Sequence, residues 1–240
     1  MEAIAVQVTD ELLQDRFKLS PSSDLPPMSQ ITDTIHGANA LPVGDGATEI
    51  LPVTGSPERL PSVSASSPLL QEPPETAWFI ENGGLVLLYP YFKPYLETLH
   101  LLHHNQFISY HHQLQAIHAL EVLVRGENSY REYDLVLNKV LCGLPLSTPL
   151  DPELPLNPAI ALEAEQLLQS AIHNWAIIKN TSVDGFRRSF LIRDGKLIWR
   201  QTSWTLILDR KGYDVLLEYL PYPIYVVKLP WINSPIYVEW

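Results

Sequence analysis

Lys179-Asn180-Thr181-Ser182-Val183-Asp184-Gly185-Phe186-Arg187 is the stretch on which the fold turns. It reads as a short polar loop running into a helix. The Ser182 hydroxyl is placed to accept a hydrogen bond from one of the backbone N–H groups that a first helical turn leaves without an intrahelical partner. Asp184 then falls in that first turn, where the partial positive charge of the helix end favours a carboxylate. Val183, Phe186, Phe190 and Leu191 follow at spacings that share one helical face. A face of that kind has to be covered, so the segment completes a packed domain.

Working outward toward the C-terminus, Asp194-Gly195 reads as a tight turn. Residues 196–200 and 204–208 alternate as two antiparallel strands around Gln201-Thr202-Ser203. A short helix over about 212–220 follows, then two β-rich runs, 224–229 and 236–240, kept apart by Pro230 and Pro235. In the other direction lies the clearest helix of the chain, with Asn157 as N-cap and Pro158 at its first position. Its apolar face is Ile160, Ala164, Leu167, Leu168, Ala171, Ile172 and Trp175. Ahead of a proline-broken loop, a helix over about 130–142 turns Tyr133, Val136, Leu137, Val140 and Leu141 inward and is stopped by Gly143 and Pro145. Another carries Leu114, Ile117, Leu120 or Glu121, and Val124 on or near one face and ends at Gly126. Pro90 and Pro94 start a helix through about Leu102. Before it, Asn82-Gly83-Gly84 reads as a turn whose glycines tolerate positive φ, flanked by Phe79-Ile80 and by the apolar run 85–88. The expected fold is α+β: a predominantly helical domain over 76–240 with a small C-terminal antiparallel sheet.

Composition places the core in the same region. Of the 23 aromatic residues only Phe17 precedes residue 76. Residues 20–75 hold ten prolines, many Ser and Thr and no aromatic, so they bury too little apolar surface to offset their ordering entropy and read as a disordered linker. Residues 1–19 form a short N-terminal element, with Ile4, Val6 and Val8 alternating as in a strand and Leu12, Leu13 and Phe17 spaced as in a helix. The net charge of −11 is concentrated in the first 75 residues, which carry −8 of it. Phosphate binding needs clustered Lys or Arg, so this balance argues against nucleic acid as a partner, and no basic patch suits an anionic membrane surface. No apolar run is long enough to span a bilayer. The start of the chain lacks a basic segment followed by an apolar one, so cytoplasmic synthesis is the expectation.

Few residues suggest chemistry. Six of the eight histidines, His100, His103, His104, His111, His112 and His118, lie within nineteen residues. His100 and His104 have the i,i+4 spacing by which a helix presents two ligands to one metal. No carboxylate or cysteine completes a ligand set, so no metal and no cofactor is expected. Cys142 ends an apolar helix face and reads as a buried structural thiol; as the single cysteine it also excludes an intramolecular disulfide. Asn180-Thr181-Ser182 fits a glycosylation sequon, but the helix-cap reading is preferred. No Gly-x-Ser-x-Gly, Walker or His-Glu-x-x-His sequence occurs. Trp231, Tyr237 and Trp240 form either part of a core or a docking surface for another subunit.

Four stretches then occur in order: residues 79–90 (FIENGGLVLLYP), 135–145 (LVLNKVLCGLP), 179–185 (KNTSVDG), and 228–231 (KLPW) with 237–240 (YVEW). As a set they resemble the C-terminal region of the contractile injection system tape measure proteins. The resemblance runs over nearly all of 78–240 and includes Asn180, Thr181, Ser182, Asp184 and Gly185. It implies a structural component of a phage-tail-like particle, related to the protein that occupies the tube and governs its length. The implied partners are protein subunits of tube, baseplate or spike, with no catalytic residue and no cofactor. Even as one helix, 240 residues reach only about 360 Å at 1.5 Å per residue, so a short paralogue, an anchor for the ruler or an assembly adaptor is expected. The alternatives are an adaptor module tethered by the acidic linker and, behind it, a metal enzyme built on the histidine cluster.

Overall fold

The computed structural model describes Phe17 and residues 76–126, 130–151 and 154–240. The linker expected over 20–75, and the N-terminal element apart from Phe17, lie outside the described residues. Strand β1 (Ala77–Ile80) leads through Asn82 into a 3-10 helix (Gly83–Leu88) that runs on into α1 (Tyr89–Thr98). Every residue of the 3-10 helix is buried. The expected helix to Leu102 stops early: His100 takes φ 57°, and a hairpin of β2 (Leu102–His103) and β3 (Gln106–Phe107) follows. Helix α2 (Tyr110–Arg125) starts at Ser109, whose Oγ accepts from His112 N, and ends on Gly126 at φ 77°. That left-handed C-cap costs glycine nothing, as the sequence predicts for this position.

The 130–142 region divides into a 3-10 turn (Glu132–Leu135) and α3 (Val136–Leu141). Leu137, Val140 and Leu141 are buried as expected, but Tyr133 is 61% exposed, because the tighter turn moves it off the face that ideal α periodicity assigns. Helix α4 (Ile160–Asn174) buries the whole predicted face. Asn157 is not its N-cap: it sits ahead of the helix, and its Oδ1 accepts from Ala159 N at 2.9 Å. Helix α5 (Val183–Phe186) continues into a π-helical segment (Arg187–Leu191), marked by the bond from Ile192 N to Arg187 O at 2.8 Å. Phe186, Phe190 and Leu191 are buried along it.

Strands β4 (Gly195–Arg200) and β5 (Ser203–Leu208) pair antiparallel about a turn in which Gln201 has φ 52°, as their alternation predicts. Gly195 opens β4 rather than making a turn with Asp194. A 3-10 helix (Gly212–Tyr219), β6 (Val226–Val227) and β7 (Ile236–Glu239) complete the chain. Among the described residues the main sheet has the order β1-β4-β5-β7-β6. It is mixed, not purely antiparallel, since β5 and β7 run parallel with Leu206 opposite Val238. Parallel neighbours need a crossover, and the segment holding the 3-10 helix and β6 supplies it. Nor is β7 an edge: it is paired on both sides, and β1, from the start of the domain, forms one margin of the sheet.

Phe17 belongs to the core although it precedes the domain by residues 18–75: it is 2% exposed and part of the main apolar cluster. Burying such a ring contributes about 1.5–3 kcal/mol.

Candidate functional site

The first, second and fourth of the quoted stretches are far apart in the chain and meet inside the fold. Asn82 of the first and Asn138 of the second are both fully buried, and they converge on Glu121 of α2, also fully buried. Asn82 Nδ2 donates to Glu121 Oε2 at 2.8 Å and to Asn138 Oδ1 at 2.8 Å. Asn138 Nδ2 donates to the same carboxylate oxygen at 3.1 Å and to Ile117 O at 3.0 Å. Arg125, one turn on, donates from Nε to Glu121 Oε1 at 2.8 Å. Loss of hydration raises the Glu121 carboxyl above its ordinary 4.5, a shift opposed by the bonds from Asn82, Arg125 and Asn138.

A second polar junction lies where the first stretch meets the end of the π-helical segment. Arg193 is fully buried and forks onto Asp214, with Nη2 to Oδ1 at 2.9 Å and Nη1 to Oδ2 at 3.1 Å. Nη2 also reaches Ser189 O and Nη1 Asp209 O, Nε has no hydrogen-bond partner among the described residues, and the guanidinium lies over the rings of Tyr213 and Trp240. Its backbone stitches the motif down: Arg193 N donates to Glu81 O at 2.7 Å, and Gly83 N donates to Arg193 O at 2.9 Å. Here the glycine pair has a different function from the expected one. Neither Gly83 nor Gly84 has positive φ. A Cβ on Gly84 would stand 1.7 Å from Phe190 O, so glycine is required because two backbones touch, not because of dihedral freedom.

The fourth stretch ties to the second. Trp231 Nε1 donates to Leu141 O at 2.9 Å, and its ring meets Phe107 edge-on. Trp240 Nε1 donates to Asp214 Oδ2 at 3.0 Å. Of the three expected docking aromatics, two are therefore held within the fold, and Tyr237 alone stands out, 47% exposed. Strand pairing puts Tyr237 on the same face of the sheet as Phe79, which is 82% exposed, and Val226. On the opposite face, Trp199 and Trp204 join Leu144, Pro145 and Ile232 along a shallow apolar groove.

In the third stretch, Ser182 Oγ accepts from Gly185 N at 3.1 Å, and Asp184 lies in the first turn of α5. Asn180 is exposed in the preceding turn, and Thr181 N donates to Ile178 O at 2.8 Å. Ser182→Ala should lower stability by about 0.5–2 kcal/mol and Ser182→Gly by only a few tenths, as read by urea denaturation. An unchanged midpoint in the alanine variant would mean the cap is energetically idle.

The histidines do not converge. His100 and His104 lie in left-handed loop conformations rather than on one helix, so their i,i+4 spacing brings no ligand pair together. His112 bonds Ser109, and the buried His118 has its Nδ1 2.6 Å from Tyr130 Oη. Among the described residues no three His, Cys, Asp or Glu side chains are grouped so as to hold a metal. Cys142 is fully buried, and burial pushes its thiol far above the ordinary value. Sequence reading placed Glu121 on the buried face only as an alternative to Leu120, and it missed Arg193, Asp214 and Phe17. The one available signal was a charged residue in an otherwise apolar helical stripe.

The model of the contractile injection system tape measure protein family matches residues 17–240, nearly the whole chain. This chain belongs to that family. No curated protein and no solved structure is significantly similar to it. Membership makes it a structural component of a contractile injection system. Three of the four quoted stretches are thus tied to one another in the fold of this tape measure family member. No described helix is long and apolar enough to cross a membrane.

Proposed function

We propose that this tape measure family member is a non-enzymatic assembly component of a phage-tail-like contractile particle, made and used in the cytoplasm, that works by docking onto tube, baseplate or spike subunits. The observation that carries the reading is how the motif residues are used. The polar side chains Asn82 and Asn138 are consumed by buried contacts that shape the domain, while aromatic side chains, Phe79 and Tyr237 among them, are left on the surface of the sheet. Exposed aromatics of this kind are what protein interfaces bury. The acidic balance of the chain supports protein rather than nucleic acid as the partner.

Deleting the gene should leave cells with no full-length particles, or with tubes of irregular length, under the electron microscope. Cutting off the last strand would be a poor test, because β7 lies between β5 and β6 and its loss would disrupt the sheet. Tyr237→Ala combined with Phe79→Ala is the sharper variant, expected to reproduce the assembly defect while circular dichroism and melting stay near wild type. Normal particles in the complete deletion would overturn the assembly reading and favour an adaptor module serving some other partner.

A further inference from the structure

We infer that the hollow on the outer face of the sheet, beside β1, is a docking site for an arginine of another protein, whose guanidinium enters a row of carboxylates while its stem lies against Phe79. The inference rests on the docking reading of Phe79 given above and states the chemistry of the partner. The pairing of β1 with β4 and of β4 with β5 lines up Phe79, Lys196 and Ile207 on the face that points away from the core. Two residues further along the same face, Glu81, Asp194 and Asp209 come side by side: Asp209 N donates to Asp194 O at 2.9 Å, and Arg193 N to Glu81 O at 2.7 Å. All six line one hollow of about 640 Å³, bounded also by Tyr133. Like charges set side by side across strands oppose one another. Asp194 and Asp209 are both exposed, and among the described residues the ion pairs involve neither of them, nor Lys196.

The chain's own arginines show which group this chemistry accepts. Arg125 Nη2 stands 3.4 Å from Glu81 Oε2, and the Arg131 guanidinium lies over the Tyr133 ring, 5.5 Å from its centroid. Phe79, 82% exposed, and the two aspartates offer the same two contacts, an aromatic ring and a carboxylate, with no guanidinium of this chain on them. A planar guanidinium on an apolar stem satisfies both at once and is more weakly hydrated than an ammonium, so it is drier to dock. The net charge of −11 on each chain opposes a second copy as the occupant, which leaves a different protein as the source of the arginine.

The test uses the full-length protein and a short fluorescent peptide of alternating leucine and arginine. Wild type should bind it saturably, and the same peptide with citrulline, which keeps the shape and loses the charge, at least about tenfold more weakly. Asp194→Asn combined with Asp209→Asn should weaken binding about threefold or more, and Phe79→Ala should weaken it too, with circular dichroism unchanged. Asp33→Asn combined with Asp45→Asn removes the same charge from the N-terminal stretch and should leave binding as it is. Absence of saturable binding, equal binding of the citrulline peptide, or an equal loss in the Asp33 and Asp45 pair would each overturn the site. Sedimentation adds one more arm: a wild-type dimer that becomes monomeric in the Asp194 and Asp209 pair would show a second copy as the occupant and overturn the assignment to another protein. The docking reading fails separately. A peptide that is ignored, while Phe79→Ala with Tyr237→Ala still blocks particle assembly, sinks the arginine site and leaves docking intact. A peptide that binds as expected, with normal particles in the complete deletion, supports the site and puts its partner outside the particle.

Discussion

Arg193→Met should destabilise the protein by about 3–5 kcal/mol, enough to unfold a marginally stable domain of this size at physiological temperature. Methionine keeps the apolar stem as far as the Nε position and removes the guanidinium, so the loss combines the fork onto Asp214 with the stacking over Tyr213 and Trp240. Asp214, 11% exposed at its side chain, would then keep a buried charge with only neutral donors, Lys211 N and Trp240 Nε1, around it. Arg193→Lys keeps the charge but not the two-pronged fork onto Oδ1 and Oδ2, so its cost should fall between. Removing both charges with Arg193→Met and Asp214→Asn should recover part of the loss, since an empty pair is cheaper than half of one. Urea denaturation of wild type, Arg193→Met, Asp214→Asn and the double variant reads the cycle, with Arg193→Lys measured beside them. A loss below about 1 kcal/mol for Arg193→Met would mean that the ion pair behaves like a surface one and does not hold the end of the π-helical segment to the 3-10 helix that carries Asp214.

Glu121→Leu should cost about 3–5 kcal/mol. The damage is expected from the amides rather than from Arg125, which is 24% exposed at its side chain and has Glu81 3.4 Å away. Asn82 and Asn138, fully buried, would have donors pointing at a methyl group. Glu121→Gln should cost less, about 1–3 kcal/mol, because one end of the new amide faces a donor whichever way it turns. The glutamine variant also carries a pH signature. Burial raises the Glu121 carboxyl above 4.5, so the folded protein holds that proton more tightly than the unfolded chain does. The contribution of this group is therefore fully present below about pH 4.5 and is lost as pH rises through the folded value. Stability of wild type measured from pH 4 upward should show that decline, and Glu121→Gln should lack it. Parallel profiles for the two proteins would place the titration elsewhere.

The sequence reading succeeded where the information is local. Helix α4 shows its buried face as a plain 3.6-residue repeat from Ile160 to Trp175, and β4 and β5 show theirs as alternation around Gln201. Gly126 announced the end of α2 because a left-handed C-cap selects glycine. It failed where backbone geometry departs from the ideal. Tyr133 sits on a 3-10 turn, and Asn157 caps a turn one step ahead of its helix. His100 and His104, at helical spacing on paper, occupy a loop that ends the helix early.

The sequence by itself determined the α+β class, the C-terminal placement of the core, most helix positions and, through the order of four short motifs, the family. Tertiary structure alone decided that the sheet draws β1 from the far end of the domain and takes β7 in parallel. It also decided that Glu121 and Arg193 are buried with partners, that Gly84 is there for space, and that Phe17 reaches the core. The division has one physical cause. Periodicity, caps and turns are written within a few residues of one another, because they depend on which side of a single element is apolar. Strand neighbours and the partner of a buried charge depend on contacts between segments whose separation along the chain no short window contains.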